Sequence, residues 1–140
     1  MAEQAALAFK GYEVTKVVLD KPKGFIEGAF NINFQHVNHI YKDNSNLFDA
    51  EFIVTLVSED KKFNLQIQAL SFFEIQGDVP KSVCDNYLNI SCPSIVYPYL
   101  RAFITNLVIQ AGMKPIFIPP INFSAKPLIE EQKEETAEIQ

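Results

Sequence analysis

The chain has no tryptophan, only two cysteines and only five glycines in 140 residues, and each scarcity excludes something. Cys84 and Cys92 cannot make the disulfide framework on which small secreted folds rely, and their spacing is not the C-x-x-C of redox or zinc sites. The scattered glycines leave no glycine-rich loop to cradle a phosphate. Twelve Lys and Arg stand against 17 Asp and Glu, a formal charge of −5, and the basic residues form no cluster. A nucleic-acid partner, which needs a positive field over its phosphates, is therefore not expected. Long hydrophobic runs are missing too. The longest apolar-rich stretch, Ile95 to Ile109, is broken by Pro98, Arg101, Thr105 and Asn106, too short and too polar to cross a bilayer of about 30 Å. Met1 to Gln4 offers no basic n-region, and Ala5 to Phe9 is too short for a signal h-region. These absences predict a reduced, cytoplasmic chain with no membrane insertion.

What is present is apolar. Hydrophobic residues make up 48% of the chain, with twelve Phe, and the length suits one domain. The charge is gathered at one end. Residues Glu130 to Gln140 hold five Glu against one Lys, so this tail carries −4 of the −5 and the body is nearly neutral. A neutral apolar body is expected to associate with something.

The first half has the period of strands. Phe30, Ile32 and Phe34 alternate with Asn31, Asn33 and Gln35; Phe52, Val54 and Leu56 alternate with Glu51 and Thr55; Leu65, Ile67 and Ala69 alternate with Gln66 and Gln68. Leu70, Phe72 and Phe73 break the last pattern, which suits a bulge or a strand end covered on both faces. Tyr12 to Asp20 supplies a fourth strand, and Ser58 to Lys62 a polar hairpin loop. Short or polar connections predict an antiparallel sheet. The second half changes period. A short helix is expected over Lys81 to Leu88, and Pro93 is expected to open a long one, where its missing N–H costs nothing. Ile95, Tyr99, Phe103 and Leu107 form one i,i+4 row; Val96, Leu100, Ile104 and Val108 form a second. Twelve of the seventeen residues from Ile95 to Ala111 are apolar, a stripe wide enough to be covered on two sides. Gly112 stops this helix. An extended apolar loop follows, with Pro115, Pro119 and Pro120 among Ile116, Phe117, Ile118, Ile121 and Phe123. Ser124 is expected to cap a last helix.

Catalytic constellations are hard to find. His36 and His39 form H-x-x-H, but in a strand an odd offset sends them to opposite faces, which argues against a shared metal. No Ser or Cys stands in a nucleophile elbow with a general base beside it. The reading is of a non-enzyme that needs no cofactor and no metal.

The informative constellation is Cys92-Pro93-Ser94-Ile95-Val96-Tyr97-Pro98-Tyr99-Leu100-Arg101, followed by Pro119-Pro120-Ile121-Asn122-Phe123. It resembles SecB, the tetrameric export chaperone family, which carries a Cys-Pro, an apolar pair with Phe-Pro-Tyr and an Arg, then a Pro-Val-Asn-Phe loop. Tyr97 replaces the Phe here and Ile121 the Val. The resemblance covers about Phe9 to Leu128. It implies an α+β fold of four antiparallel strands, a long helix, a Pro-rich apolar loop and a C-terminal helix, in a single domain over residues 1–128 with an acidic tail over 129–140. It also implies an ATP-independent holdase that keeps unfolded client polypeptides translocation-competent for export, working as a homotetramer, a dimer of dimers. Both helix rows would then serve subunit interfaces. Ile116, Ile118, Ile121 and Phe123, with Phe72 and Phe73 at the sheet end, would serve client binding.

There is a departure. Export-type SecB proteins carry acidic residues on an exposed sheet face that recruit the SecA motor. An ungapped alignment of the first and fourth strands puts Val17 and Gln66 at two of those places. SecA as a partner is thereby in question, and a SecB-like chaperone for a narrower client, such as an antitoxin, stands beside the export reading. A hotdog-like thioesterase also wraps a sheet around a long helix, but such enzymes need an Asp or Glu on or near it. From Pro93 to Gly112 this chain has no acid, and Arg101 is its only charge there.

Overall fold

The computed structural model describes residues 6–25, 28–40 and 46–125. Four strands, β1 (Ala6–Asp20), β2 (Phe30–Ile40), β3 (Leu47–Ser58) and β4 (Asn64–Gln76), make one antiparallel sheet. Their order is β1-β4-β3-β2, so β2, β3 and β4 form a meander while β1 crosses to the far edge beside β4. A helical segment follows as α1 (Lys81–Asn86), a π-turn (Tyr87–Ser91) and α2 (Cys92–Gln110). The expected α+β architecture, an antiparallel four-stranded sheet followed by a long helix, is the one observed.

The central strands show why the sheet has an inside. Phe48, Ala50, Phe52, Val54 and Leu56 of β3 are buried, as are Leu65, Ile67, Ala69, Ser71, Phe73 and Ile75 of β4, while the residues alternating with them are half-buried. A period of two thus gives one face to the core and leaves the other partly open. The alternation of β4 runs through Leu70, Phe72 and Phe73 without a break, contrary to the expected bulge. The bulges lie in β1, where the register slips between Phe9 and Gly11 and again between Val14 and Lys16. Gly11, at φ 129°, adopts the backbone angle that the first slip requires. Each extra residue shifts the facing by one, so Leu7, Phe9, Tyr12, Val14 and Leu19 all pack on the core. It also puts Val18, not Val17, opposite Gln66; Val17 lies opposite Ile67, on the other face. The ungapped alignment of Val17 with Gln66 on one face is corrected by these bulges.

The β3–β4 hairpin is tied by one carboxylate. Asp60 Oδ1 accepts from the Ser58 hydroxyl at 2.6 Å and from the Lys62 N–H at 3.0 Å. These donors, the hydroxyl first, hold its pKa below the usual carboxylate value.

Pro93 does not open a free helix, because it sits inside a continuous helical path. Its ring crowds the carbonyl four residues back and it has no N–H to offer that carbonyl. The turn before it widens instead, and the Cys92 N–H bonds the Tyr87 carbonyl, five residues back. The expected Lys81–Leu88 helix accordingly ends at Asn86 and passes into this π-turn. Asn38 of β2 holds the turn to the sheet, donating to the Leu88 carbonyl at 3.3 Å. Gly112, at φ 90°, terminates α2 as expected. Met113 then folds back, its N–H on the Val108 carbonyl at 2.9 Å. At the end of the described chain Asn122 caps a short turn. Its Oδ1 accepts both the Ser124 N–H (3.2 Å) and the Ser124 hydroxyl (2.6 Å) in a 3₁₀ turn over Phe123–Ala125. The expected last helix and the acidic tail fall outside the described residues.

Candidate functional site

The two apolar rows of α2 have different fates. Val96, Leu100, Ile104 and Val108 are at most 1% exposed and belong to the chain's own core. A side chain already covered has no surface left for a second copy, so the interface expected of this row is narrowed to the other. There Tyr99 is 48% exposed, and Ile95, Phe103 and Leu107 are half-buried. Tyr99 rests against Phe9 and Tyr12 of β1, at 5.6 and 5.4 Å between ring centroids. It marks the flank of α2 that faces β1.

The segment after Gly112 lies on the opposite flank. Met113, Ile118 and Phe123 anchor it in the core, and the Tyr97 hydroxyl donates to the Pro119 carbonyl at 2.6 Å. Phe123 packs on Phe34 and Tyr97 at 5.4 and 5.7 Å. Pro115, Pro119 and Pro120 have no N–H to place in a ladder, which keeps the segment extended without making it a fifth strand. Extended chain alternates, so Ile116 and Ile118 turn inward and Phe117 turns outward, 78% exposed. No other described large hydrophobic side chain is so exposed.

Phe117 stands on a ridge between two clefts. One, of about 440 Å³, lies toward the sheet and is lined by Phe30, Ile32 and Leu56 with residues 115–119. The other, of about 450 Å³, lies toward α2 and is lined by Pro98, Arg101, Ala102, Thr105 and Asn106 with Ile116, Phe117 and Ile118. The structure thus brings Ile116 and Ile118 into both clefts. It leaves Ile121 half-buried beside the core, and Phe123 inside it. Phe72 and Phe73 are not brought to this place. They pair with Asp49 and Phe48 of β3, at the opposite end of the sheet from Leu56. Phe73 lies between Phe9, tilted against it, and Phe48, stacked on it, and Phe72 is half-buried on the outer face. Sequence reasoning missed Phe117, Phe30, Ile32 and Leu56 as groove residues. The alternation of Ile116, Phe117 and Ile118 was the available signal for Phe117.

The ionisable groups near the site are few. The Arg101 guanidinium lies 5.9 Å from the Tyr97 ring centroid. Burial raises the Tyr97 phenol pKa, and Arg101 partly offsets this. Burial raises the Cys92 thiol well above its ordinary value, against a smaller lowering by Ser71; it raises Cys84 too, with Asp85 adding to the effect. His36 and His39 do fall on opposite faces. His36 stacks on Phe52 at 5.2 Å inside the sheet, while His39 lies 3.6 Å from Glu51 outside it.

The fold is that of SecB-like chaperones. It matches the Mycobacterium tuberculosis Rv1957 SecB-like chaperone, solved in complex with a ChAD peptide from the Rv1956 HigA1 antitoxin. The TM-score is 0.67 at 11% identity, over 82% of this chain and 90% of that one. The model of the family described as preprotein translocase subunit SecB matches residues 18–135, and the chain belongs to that family. Relatives named protein-export protein SecB include one from Methylobacillus flagellatus, 34% identical over 65% of this chain and 58% of its own length. Another, from Ralstonia pickettii, is 40% identical over 52% of this chain and 42% of its own. The chain thus spans about half the length of these relatives. One from Chromobacterium violaceum is 28% identical over 90% of this chain and 85% of its own. Among the described residues no helix is long and apolar enough to cross a membrane.

Proposed function

We propose that this protein is an ATP-independent holdase of the cytoplasm that binds non-native polypeptides along the Phe117 ridge. The observation that carries this reading is an aromatic ring 78% exposed between two clefts, the one toward the sheet walled by Phe30, Ile32 and Leu56. Exposed aromatic and aliphatic side chains give sequence-tolerant contact and ask for no catalytic group. Membership of a chaperone family supports it, as do relatives named for protein export. Ile116 and Ile118 contribute to both clefts, and Ile121 lies half-buried beside them against the core. A second copy would cover Ile95, Tyr99, Phe103 and Leu107, leading to a dimer of dimers near four times 15.9 kDa. The body would act as one domain, with the acidic tail keeping an apolar protein in solution.

The test is aggregation of a chemically denatured client, followed by light scattering with and without ATP. Suppression indifferent to ATP is expected; a monomer without effect would sink the proposal. Ile121→Asp should weaken suppression while circular dichroism stays that of the folded chain.

A narrower client range, without SecA, is the second reading. What favours it is Gln66, which lies on the outer face of β4 at one of the places where the resemblance implies an acid. Adding SecA to the client complex and measuring its mass separates the two: a larger particle would support the export reading.

A further inference from the structure

Tyr97 carries a hydroxyl where the SecB pattern has the bare ring of Phe. The residue is 4% exposed, and its ring is met edge-on by Phe34 at 5.3 Å and Phe123 at 5.7 Å, with the Arg101 guanidinium 5.9 Å from its centroid. Packing on those sides fixes the direction in which the hydroxyl points. It donates to the Pro119 carbonyl at 2.6 Å, a bond from α2 to the Pro-rich segment across 22 positions of chain. Burial raises the phenol's pKa, with Arg101 opposing, so the group stays a donor at neutral pH. The acceptor is as well fixed as the donor. The Pro119 ring sets its own φ, and Pro120 after it confines its ψ to the extended range. Ile118, which precedes Pro119, is confined in the same way and is 3% exposed. Residues 118–120 are therefore a stiff piece of chain, and fastening Pro119 settles where Phe117 emerges from it. Pro119 lines the cleft toward the sheet, and Pro98, the neighbour of Tyr97, lines the cleft toward α2. The bond is made beside both.

We infer that Tyr97 is a positioning residue of the groove: by bonding Pro119 it holds the Pro-rich segment against α2, so that the Phe117 ridge and both clefts stand formed before a client arrives. Its own ring is buried, so it acts through the segment. What it supplies is preorganisation. A segment already ordered loses less conformational entropy on binding than one that its client must order. Successive prolines make a single bond effective, because few backbone angles remain to be fixed. The inference rests on the groove reading above, and names a residue that sets the strength of that same site.

Tyr97→Phe tests it, since it removes the hydroxyl and keeps the ring that Phe34 and Phe123 clasp. Binding of a short labelled Gly/Ser peptide carrying Phe-Leu-Phe is measured on the full chain by fluorescence anisotropy, and its release by stopped flow. The variant should bind about threefold more weakly, through faster release, as for the loss of one hydrogen bond. Amide exchange at Phe117 and Ile118 should quicken, while that of Val54 and Ile67 in the central strands stays as it was. In a Phe117→Ala background the effect of Tyr97→Phe on binding should shrink to almost nothing, because Tyr97 acts through the ridge. Equal affinity of the variant and the wild type overturns the inference and leaves the groove reading standing. Tighter binding by the variant overturns it as well, and would make the segment a lid. So does a loss that persists undiminished beside Phe117→Ala, or exchange that quickens equally in the central strands, since the hydroxyl would then serve the fold at large. Failure of the wild type to bind the peptide overturns both.

Discussion

The two apolar rows of α2 are alike in composition and opposite in circumstance. Val96, Leu100, Ile104 and Val108 lie against the sheet and are closed to solvent, while Ile95, Tyr99, Phe103 and Leu107 are left half-covered by the same chain. Hydropathy does not distinguish them. What does is the direction in which Phe34, Phe52, Ile67 and Phe73 point, a consequence of strand register. An apolar residue therefore acquires its role from what the rest of the fold has already covered. The same contrast recurs in miniature after Gly112, where Ile118 is 3% exposed and its neighbour Phe117 is 78% exposed.

Truncation should separate the rows most sharply. Leu100→Ala or Ile104→Ala is expected to cost about 2–5 kcal/mol in urea denaturation, lost transfer energy plus the residual cavity. Tyr99→Ala, assayed on dilute protein, should cost no more than about 1 kcal/mol, the loss of its contacts with Phe9 and Tyr12. Equal losses would erase the distinction. A charge placed in the outer row, Leu107→Asp, should reduce the mass measured by sedimentation while secondary structure persists. An unchanged mass would remove that row from any interface. Next, Phe117→Ala should shift stability by less than about 0.5 kcal/mol, as for an exposed side chain, yet impair client capture. Ile118→Ala should do the reverse, lowering stability first. The smallest effect concerns the thiols. Cys92 is fully buried and Cys84 half-buried, and both have raised pKa values, Cys92 the more strongly. A raised pKa means less thiolate at neutral pH, so alkylation should be slow, accelerate as pH rises, and mark Cys84 before Cys92 by mass spectrometry.

Much of this was legible in the sequence, and the reasons can be stated residue by residue. β3 and β4 alternate with no interruption, so their core face could be read directly from Phe52, Val54, Leu65 and Ile67. β1 could not be read in that way, because two extra residues put its inward side chains out of step. That is why Val17 was set beside Gln66 and why the strand was begun at Tyr12 instead of Ala6. Pro93 misled through a sound rule: a helix can begin there, but a π-turn also accommodates it, and sequence period does not reveal that widening. In the site, the loop and its isoleucines were legible from the spacing of prolines. Phe72 and Phe73 were grouped with it through the resemblance, which borders the groove with part of the sheet, although the register carries them to the other end of the sheet. Arg101 was legible as part of the Cys-Pro motif and as the sole charge of its helix; its place over the Tyr97 ring becomes visible only in the fold.

Strand order also sets a schedule. Val57 and Asn64 pair across seven positions of chain, but β1 finds its partner only across 44 positions at Asp20–Asn64 and 70 at Ala6–Gln76. Long closures delay folding, since their entropy must be met before any contact rewards it. On the ribosome β1 is made first and must wait for β4, about fifty residues later, or about 3–10 s at ordinary synthesis rates. Through those seconds Leu7, Phe9, Val14 and Leu19 have no sheet to join. In its own birth this protein passes through a stage in which an apolar segment stands unpaired, the same condition that it is proposed to relieve in others.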